Sequence, residues 1–351
     1  MQKILIDNKI APIAEELKKF PHQSVFILTD TNTHRLCLPE LLAEYTIDPS
    51  HIIEIKADDD NKNIESVCHV WQELSEKGAT RKSLLINLGG GMVTDLGGFA
   101  ASTFKRGIDY VNVPTTLLGA VDAAVGGKTG FNFNHLKNEI GVINPALSVL
   151  INISFFKHLS QDNLFSGFAE MIKHGLISNE TVWKHICQTD MTNVNYDTFG
   201  ALLAESINVK EEVVKIDPTE KNIRKALNFG HTIGHAFESH AIERGETKLH
   251  GYAVAWGMVA ELYLSYKKCG FPKEILTQAI TLIKELYGPF AISCKEYDRL
   301  YELMTHDKKN DVAGTILFTL LSNIGEVKIN TVVEKKEIFE ALDFYCDTMG
   351  I

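Results

Sequence analysis

Four polar side chains on one predicted helix, over 222–243, could form the wall of an active site. At about 100° per residue they fall within a narrow arc. They are Arg224, Asn228, His231 and His235. Solvent-exposed helix faces usually carry Lys and Glu, which are good helix formers. An exposed face of an amphipathic helix is the alternative, but this combination favours a polar site.

Histidines and a carboxylate in the second half of the chain could bind a metal ion. His231 and His235 are four residues apart, but the Glu that an HExxH motif places between them is absent. Glu170 lies in a largely apolar helical segment, and His250 precedes another. A Glu and two His with one open position suit catalytic zinc. Spacing alone leaves several ligand sets open, and a lone buried His or Glu is the structural alternative.

Two glycine-rich turns could hold phosphate groups. The first, over 89–91, follows a predicted strand, where backbone amides and a helix N-terminus favour a pyrophosphate. Its spacing is not GxGxxG, so a tight turn is the alternative. The second, over 122–130, is not a P-loop, because Asp122 occupies the position of the required first glycine. It leaves Lys128 on a glycine-lined loop, with a surface turn as the alternative.

Two kinds of predicted element must position these residues. Short apolar runs in the first half predict buried strands over 24–28, 52–55, 84–88 and 110–113. They alternate with helical patterns such as 63–77, which predicts a parallel, Rossmann-like α/β layer. The second half is dominated by helical patterns over 162–178, 198–215, 222–243, 251–268 and 272–286, followed by a hairpin over 315–331. We predict an N-terminal Rossmann-like α/β domain, 1–153, a mostly α-helical domain, 154–351, and a cleft between them as the default site.

Composition narrows the class of protein. At roughly 150 residues per domain, the 351 residues suggest two domains. The net charge of −10 argues against a nucleic-acid partner, but it permits a small anionic substrate. We expect no membrane partner, because no apolar run reaches the roughly 18 residues of a span and the start lacks signal-peptide features. Six scattered cysteines without a CxxC pair are typical of a cytoplasmic protein.

Read together, these segments resemble the 3-dehydroquinate synthase family of sugar-phosphate cyclases. The matching segments are 89–95, Arg106-Gly107, 113–118, 122–130, Lys137-Asn138, 169–173, 227–235, His250-Gly251 and 307–309. Because they follow one another in family order, the resemblance covers most of the chain. Its departures are Ala57-Asp58-Asp59 in place of Pro-Gly-Glu, Thr94 in place of glycine, and Tyr252 in place of glutamate.

The resemblance implies two cofactors. A divalent metal ion, Zn²⁺ or Co²⁺, would be bound by Glu170, His231 and His250. The residues implied to bind NAD are Asp30, Asn32, Asp59, Lys62, Gly89, Gly90, Gly91, Asp95, Thr115, Thr116, Lys128 and Lys137.

The resemblance also implies the reaction, a carbon–oxygen lyase step of the shikimate pathway. The family converts 3-deoxy-D-arabino-heptulosonate 7-phosphate to 3-dehydroquinate and phosphate, through transient oxidation by NAD, phosphate elimination, reduction and an intramolecular aldol closure. The implied catalytic residues are Asp122, Lys128, Lys173, Lys210, Arg224, Asn228 and His235. The implied substrate-binding residues are Arg106, Lys137, Asn138 and one lysine of the 308–309 pair, assigned as Lys308. His235 would carry a proton, and Arg106 would reach the neighbouring subunit's site in a homodimer.

Three other functions remain open at this point. Another sugar-phosphate cyclase would form a different ring, although the sequence over 126–130 favours 3-dehydroquinate synthase. A metal-dependent polyol or glycerol-phosphate dehydrogenase would accumulate NADH, whereas a cyclase would release phosphate with no net NADH. A non-catalytic nucleotide-binding protein would release no phosphate at all.

Overall fold

The computed structural model describes residues 2–20, 22–134, 136–305 and 315–351. The chain forms two compact units, one of Met1–Ser160 with Val194–Glu211 and one of Gln161–Asn193 with Glu212–Ile351. The predicted domains, 1–153 and 154–351, differ from these units at 154–160 and 194–211, which group with the first unit.

Ten strands are formed by the described residues. They are β1 Lys3–Asp7, β2 Ser24–Asp30, β3 Ile52–Ile55, β4 Ser83–Gly89, β5 Asp109–Pro114, β6 Lys128–Phe133, β7 Leu136–Ile143, β8 Ser148–Asn152, β9 Leu317–Asn323 and β10 Glu326–Val332. Six of them build one sheet in the order β1-β8-β5-β4-β2-β3, and every pairing in it is parallel. The predicted parallel α/β architecture is confirmed. Strand β4, near the middle, is buried along all seven residues, so it needs no polar face.

Thirteen α-helices are formed by the same described ranges. They are α1 Ile10–Leu17, α2 Thr31–Leu36, α3 Leu38–Leu42, α4 Ile64–Glu76, α5 Gly91–Thr103, α6 Gln161–Ser178, α7 Glu180–Cys187, α8 Tyr196–Ile216, α9 His231–Glu243, α10 His250–Cys269, α11 Lys273–Tyr287, α12 Tyr297–Thr305 and α13 Lys335–Met349. Helix α8 begins in the first unit, where the Tyr196 hydroxyl donates to the Phe156 carbonyl at 3.4 Å. This contact explains part of the difference from the predicted domain boundary.

In the first unit, the carboxyl ends of the parallel strands bring the candidate residues to one edge of the sheet. Strand β2 ends at Asp30, β4 ends at Gly89, and β5 ends at Pro114 directly before Thr115. Ligands of open α/β sheets bind outside this edge. Strands β6 and β7 form a separate antiparallel hairpin that begins at Lys128, so the loop predicted around Lys128 is wrong at this residue.

In the second unit, α10 is buried along most of its length, as its nearly all-round apolar pattern predicts. It contacts α6, α9, α11, α13 and the antiparallel β9–β10 hairpin. Helix α6 is buried from Leu164 to Ile177. A polar side chain on α6, α9 or α10 that faces inward is therefore surrounded by other helices rather than by water.

The single helix predicted over 222–243 is wrong. A 3₁₀ helix covers Ile223–Asn228, the chain then turns at Gly230 with φ 81° and ψ −11°, and α9 starts at His231. Gly230 meets α10 so closely that a Cβ there would lie 2.4 Å from Met258 Cγ. The helix is therefore interrupted where Gly230 packs against α10, and sequence periodicity does not reveal this contact.

Among the described residues, no helix has the length and apolar character needed to cross a membrane.

Candidate active site

Three histidines of the second unit form a cluster with the spacing of metal ligands. His231 is the first residue of α9, His235 lies one turn later, and His250 is the first residue of α10. One ring nitrogen of each lies within 4.8 Å of the others. The break at Gly230 leaves His231 and His235 on one face of the same helix, and α10 adds the third ring.

Glu170 of α6 adds a carboxylate to this cluster. Its side chain is 0% exposed, and Oε1 lies 3.5 Å from His231 Nε2 and 3.9 Å from His250 Nε2. Oε2 is ion-paired with the buried ammonium of Lys173. Oε1 has no hydrogen bond within the described part of the chain. A buried carboxylate oxygen without a hydrogen bond is unfavourable, and a metal ion bound to it would satisfy it.

The other ring nitrogens of two histidines face hydrogen-bond acceptors. His231 Nδ1 lies 3.1 Å from the Phe229 carbonyl, and His250 Nδ1 lies 3.3 Å from Glu238 Oε2. A carbonyl or carboxylate oxygen can only accept, so each Nδ1 donates, and the neutral form of each ring then has its lone pair on Nε2. Metal-binding histidines are oriented in this way in proteins. The structure therefore brings the predicted ligands Glu170, His231 and His250 together, and places His235 beside them.

Arg224 and Asn228 lie in the segment before α9. The Arg224 side chain is buried, and Nη1 donates to the Pro218 carbonyl at 2.6 Å. The Asn228 amide donates to Glu220 Oε1 at 2.9 Å. Glu220 has φ 60°, a left-handed conformation that is uncommon for a glutamate. Sequence analysis missed Glu220, and its position in the turn after Asp217-Pro218 was the only available signal.

Asp217 organises this turn through backbone hydrogen bonds. Its carboxylate accepts from the N–H groups of Lys221, Asn222 and Arg224 at 3.0, 2.6 and 3.1 Å. Burial acts to raise the pKa of Asp217, but these N–H groups outweigh it and lower the pKa below its ordinary value. The ionised carboxylate therefore fixes the backbone that carries Arg224.

In the first unit, the glycine turn is closely packed. Gly89 accepts a hydrogen bond from the Thr115 backbone N–H at 3.0 Å. A Cβ on Gly90 would lie 3.0 Å from Thr116 Cγ2, and one on Gly91 would lie 3.1 Å from Ala123 Cβ. Gly90 and Gly91 are partly exposed at the N-terminus of α5, the arrangement that receives a phosphate group. Thr94, one of the departures from the family, donates from its hydroxyl to the Gly91 carbonyl at 3.2 Å inside this helix.

Asp30 and Asn32 lie at the start of the short helix α2. Asp30 Oδ1 accepts from the backbone N–H groups of Asn32 and Thr33 at 2.8 and 2.9 Å. The Asp30 carboxylate therefore caps α2. Its nucleotide contact stays a prediction.

Lys62 connects two candidate residues of the first unit. Its buried ammonium is 2.6 Å from Asp95 Oδ2 and also hydrogen-bonds Asn138 Oδ1. Burial raises the pKa of Asp95, and Lys62 opposes that rise. On the exposed side of this cluster, Lys137 Nζ lies 3.2 Å from Asp59 Oδ2. Asp59 thus has a cationic partner of its own.

Asp122 pairs with Lys210 from α8. Lys210 Nζ donates to the Asp122 carbonyl at 2.6 Å and to Oδ1 at 2.5 Å. Asp122 belongs to a five-residue π turn over Gly119–Ala123, and such turns are frequent at functional sites. Sequence spacing gave no signal for this pair, because the two residues are 88 positions apart.

Arg106 lies in a segment of the first unit with left-handed backbone. Lys105, Arg106 and Gly107 all have positive φ, at 49°, 71° and 110°. Arg106 lines an open cavity of about 430 Å³ together with Arg81, Ser102, Asp109 and Asn144. The predicted substrate residue Lys308 lies outside the described residues.

The chain matches known proteins over its whole length. The model of the 3-dehydroquinate synthase N-terminal family matches residues 52–166, and that of the C-terminal family matches residues 167–310. A curated 3-dehydroquinate synthase of Parabacteroides distasonis is 51% identical over 100% of this chain and 99% of its own.

Two solved structures have a similar fold. One is 2-epi-5-epi-valiolone synthase from Streptomyces hygroscopicus with NAD⁺ and Zn²⁺, with a TM-score of 0.84, 23% identity and coverage of 99% of this chain and 97% of that one. The other is 2-deoxy-scyllo-inosose synthase with carbaglucose-6-phosphate, NAD⁺ and Co²⁺, with a TM-score of 0.82, 22% identity and coverage of 97% and 95%. At such identities, these structures show the fold alone.

Proposed function

The chain belongs to the 3-dehydroquinate synthase family, and from this premise we propose that it uses NAD and a divalent metal ion to convert 3-deoxy-D-arabino-heptulosonate 7-phosphate to 3-dehydroquinate and phosphate. This makes it a carbon–oxygen lyase of the shikimate pathway. The observation that carries the proposal is the convergence of the Glu170 carboxylate with the imidazoles of His231 and His250.

The residues present fit a Zn²⁺ or Co²⁺ ion. Glu170, His231 and His250 would hold it, since one carboxylate and two imidazoles are the donors of catalytic zinc sites. The buried Oε1 of Glu170, which lacks a hydrogen bond to any described residue, supports this assignment. When bound, the metal ion supplies Lewis-acid polarisation of a substrate oxygen. His235 remains beside the three ligands as the proposed proton carrier, because an imidazole titrates near neutral pH.

The remaining proposed catalytic residues of the second unit are cationic or amide groups. The buried Arg224 keeps its charge at any physiological pH and suits an anionic group of the substrate. Asn228, held by Glu220, would orient a substrate hydroxyl. Lys173, buried against Glu170, would place a positive charge beside the reacting centre. Lys308 stays a proposed substrate residue.

The first unit carries the proposed nucleotide site. The turn of Gly89, Gly90 and Gly91 would present backbone N–H groups to a pyrophosphate, and the N-terminus of α5 favours its charge. The other proposed NAD residues are Asp30, Asn32, Asp59, Lys62, Asp95, Thr115, Thr116, Lys128 and Lys137. When bound at these residues, NAD would supply reversible hydride transfer.

Several polar residues of the first unit are proposed to bind or act on the anionic substrate. They are Asp122, Lys128, Lys137, Asn138 and Lys210. Lys210 holds Asp122 through two hydrogen bonds, and Lys62 holds Asn138, so both side chains are pre-oriented. Pre-orientation lowers the entropic cost of binding.

We further propose a homodimer in which Arg106 reaches the neighbouring subunit's site. The β6–β7 hairpin and the segment after it expose apolar side chains, including Phe133, Ile143 and Leu147 at 39%, 52% and 41%. An exposed apolar patch of this kind is typical of an interface. The test is complementation: mixing Arg106→Ala and His231→Ala subunits should restore about a quarter of wild-type activity, because half of the dimers are mixed and each has one intact site. No recovery after subunit exchange would contradict the role of Arg106.

We also propose that the protein acts in the cytoplasm without a nucleic-acid or membrane partner. Its acidic net charge of −10 and its six unpaired cysteines support this proposal.

Phosphate release from the heptulosonate phosphate tests the function directly. The full chain with NAD and Zn²⁺ should release phosphate and form 3-dehydroquinate without accumulating NADH, and a chelator should abolish both products. His231→Ala should behave like the chelated protein. His240→Ala is the matched control, because it removes an imidazole of the same helix that pairs with Glu296 instead. A different carbocycle would indicate another cyclase, and stoichiometric NADH would indicate a dehydrogenase.

A further inference from the structure

Glu261 is a fully buried carboxylate of the second unit that lies outside the proposed ligand set. It lies on α10, and its side chain faces the start of α9. Oε2 accepts from the Gly230 N–H at 2.7 Å, and Oε1 accepts from the Ile233 N–H at 3.0 Å. Both oxygens of this one carboxylate thus bind backbone donors of the same helical turn.

These two donors are the ones that a capping box satisfies. In that motif, the N-cap side chain accepts from the third helical N–H, and the third residue's side chain accepts from the N-cap N–H. Here the N-cap is Gly230 and the third residue is Ile233, and neither has a polar side chain. Glu261 replaces both halves of the motif from a neighbouring helix. Its charge also suits the positive end of the α9 dipole.

The packing leaves no room for a local cap. A Cβ on Gly230 would lie 2.4 Å from Met258 Cγ, and a Cβ on Gly257 would lie 2.1 Å from the Gly230 carbonyl oxygen. The backbones of α9 and α10 are therefore in contact at this point. Because Glu261 is one turn after Gly257 on α10, its carboxylate reaches the N-terminal end of α9 directly.

The capped turn carries the proposed metal ligands. His231 is the first residue of α9, and His250 is the first residue of α10, the helix that bears Glu261. We propose that Glu261 is a positioning residue that holds the first turn of α9 against α10, and so sets the spacing between His231 and His250. This inference rests on the proposed metal centre. Glu261 acts through the backbone and does not touch the metal.

The test compares Glu261→Gln with Ser265→Ala, using Co²⁺ as the probe and the full chain. Gln keeps one acceptor oxygen but turns an NH₂ group towards a backbone donor, so one of the two bonds is lost. Ser265 is a matched control, because its buried hydroxyl accepts from the Leu321 N–H at 3.0 Å and donates to the backbone carbonyl of Glu261 at 2.7 Å, so its removal leaves the Glu261 carboxylate in place. The readouts are Co²⁺ affinity by chelator competition, the Co²⁺ absorption spectrum and the Tm of the metal-free protein.

We expect Glu261→Gln to bind Co²⁺ about tenfold more weakly and to change the Co²⁺ spectrum. Ser265→Ala should lower the Tm without changing either. Wild-type affinity and spectrum in Glu261→Gln, with a Tm loss like that of the control, would overturn the inference and leave a structural cap. If the wild type bound no Co²⁺, the proposed metal centre itself would be wrong. This outcome is seen in the wild type alone, so it can be told apart from a failure of the Glu261 inference.

If Glu261→Gln does not fold, hydrogen exchange of the wild-type protein tests the same inference. If Glu261 couples the first turn of α9 to the metal centre, Co²⁺ must raise the hydrogen-exchange protection of the Gly230 and Ile233 amides in the wild type. Unchanged protection of these amides in the Co²⁺-bound protein would overturn the inference.

Discussion

Replacing Lys173 by methionine tests whether the buried carboxylate of Glu170 binds a metal ion. The two side chains are 1% and 0% exposed, form an ion pair and lie one turn apart on α6. Methionine is similar in length and uncharged, so the substitution removes the charge and retains most of the packing. The imidazoles of His231 and His250, at 3.5 and 3.9 Å, then remain beside the carboxylate.

The size of the effect follows from burial. Removing one partner of a buried ion pair costs about 3–5 kcal/mol, so the metal-free variant should lose that much of its free energy of unfolding. A divalent ion on Glu170 would supply the missing positive charge and would no longer be repelled by the ammonium. If the ion restores even about 1.4 kcal/mol, thermodynamic linkage requires the variant to bind it about tenfold more tightly.

Urea unfolding of the wild type and of Lys173→Met, each with excess chelator and with saturating Co²⁺, measures the four free energies of this cycle. The matched control is Lys62→Met, because Lys62 is a buried lysine that pairs with Asp95 in the first unit. Its loss of stability should be the same with and without metal. An equal loss for Lys173→Met in both conditions, or weaker Co²⁺ binding, would refute the reasoning.

Two further predictions concern the backbone around the site. Gly251→Ala places a Cβ 1.9 Å from the Ser166 carbonyl oxygen, which cannot swing away, so it should cost about 3 kcal/mol and weaken Co²⁺ binding through His250. Gly200→Ala, which meets only the flexible tip of a side chain, should be near neutral by thermal unfolding. The lowered pKa of Asp217 stabilises the fold above the ordinary carboxyl pKa, and this contribution disappears as the pH falls through the lowered value. The Tm difference between the wild type and Asp217→Asn should therefore be largest near neutral pH and should shrink below about pH 4.

The fold was predictable where burial dictates the residue pattern. The predicted strands at 24–28, 52–55, 84–88 and 110–113 lie within β2, β3, β4 and β5. Strand β4 is the clearest case, because it is buried on both faces and its sequence is mostly apolar. Strands β1 and β8 were missed, because a short apolar run does not by itself identify a strand.

The candidate site was predictable in its residue types more than in its geometry. The arc calculated for Arg224, Asn228, His231 and His235 assumed one continuous helix, and the structure divides these residues between two segments at Gly230. The hydrophobic periodicity of a sequence cannot reveal the backbone contact with Gly257 that accompanies this break. The histidines nevertheless lie together, because both follow the break.

Helices α9 and α10 each supply a carboxylate to the N-terminal turn of the other. Glu261 of α10 binds the first turn of α9, and Glu238 of α9 lies 3.3 Å from the ring of His250 at the start of α10. Two carboxylates that secure one helix pair should not act independently. Glu238→Gln combined with Glu261→Gln should therefore lose less Co²⁺ affinity than the product of the two single losses, because the second substitution acts on a pair that is already loosened. Losses that multiply, measured by chelator competition, would mean that each carboxylate orients its own histidine separately.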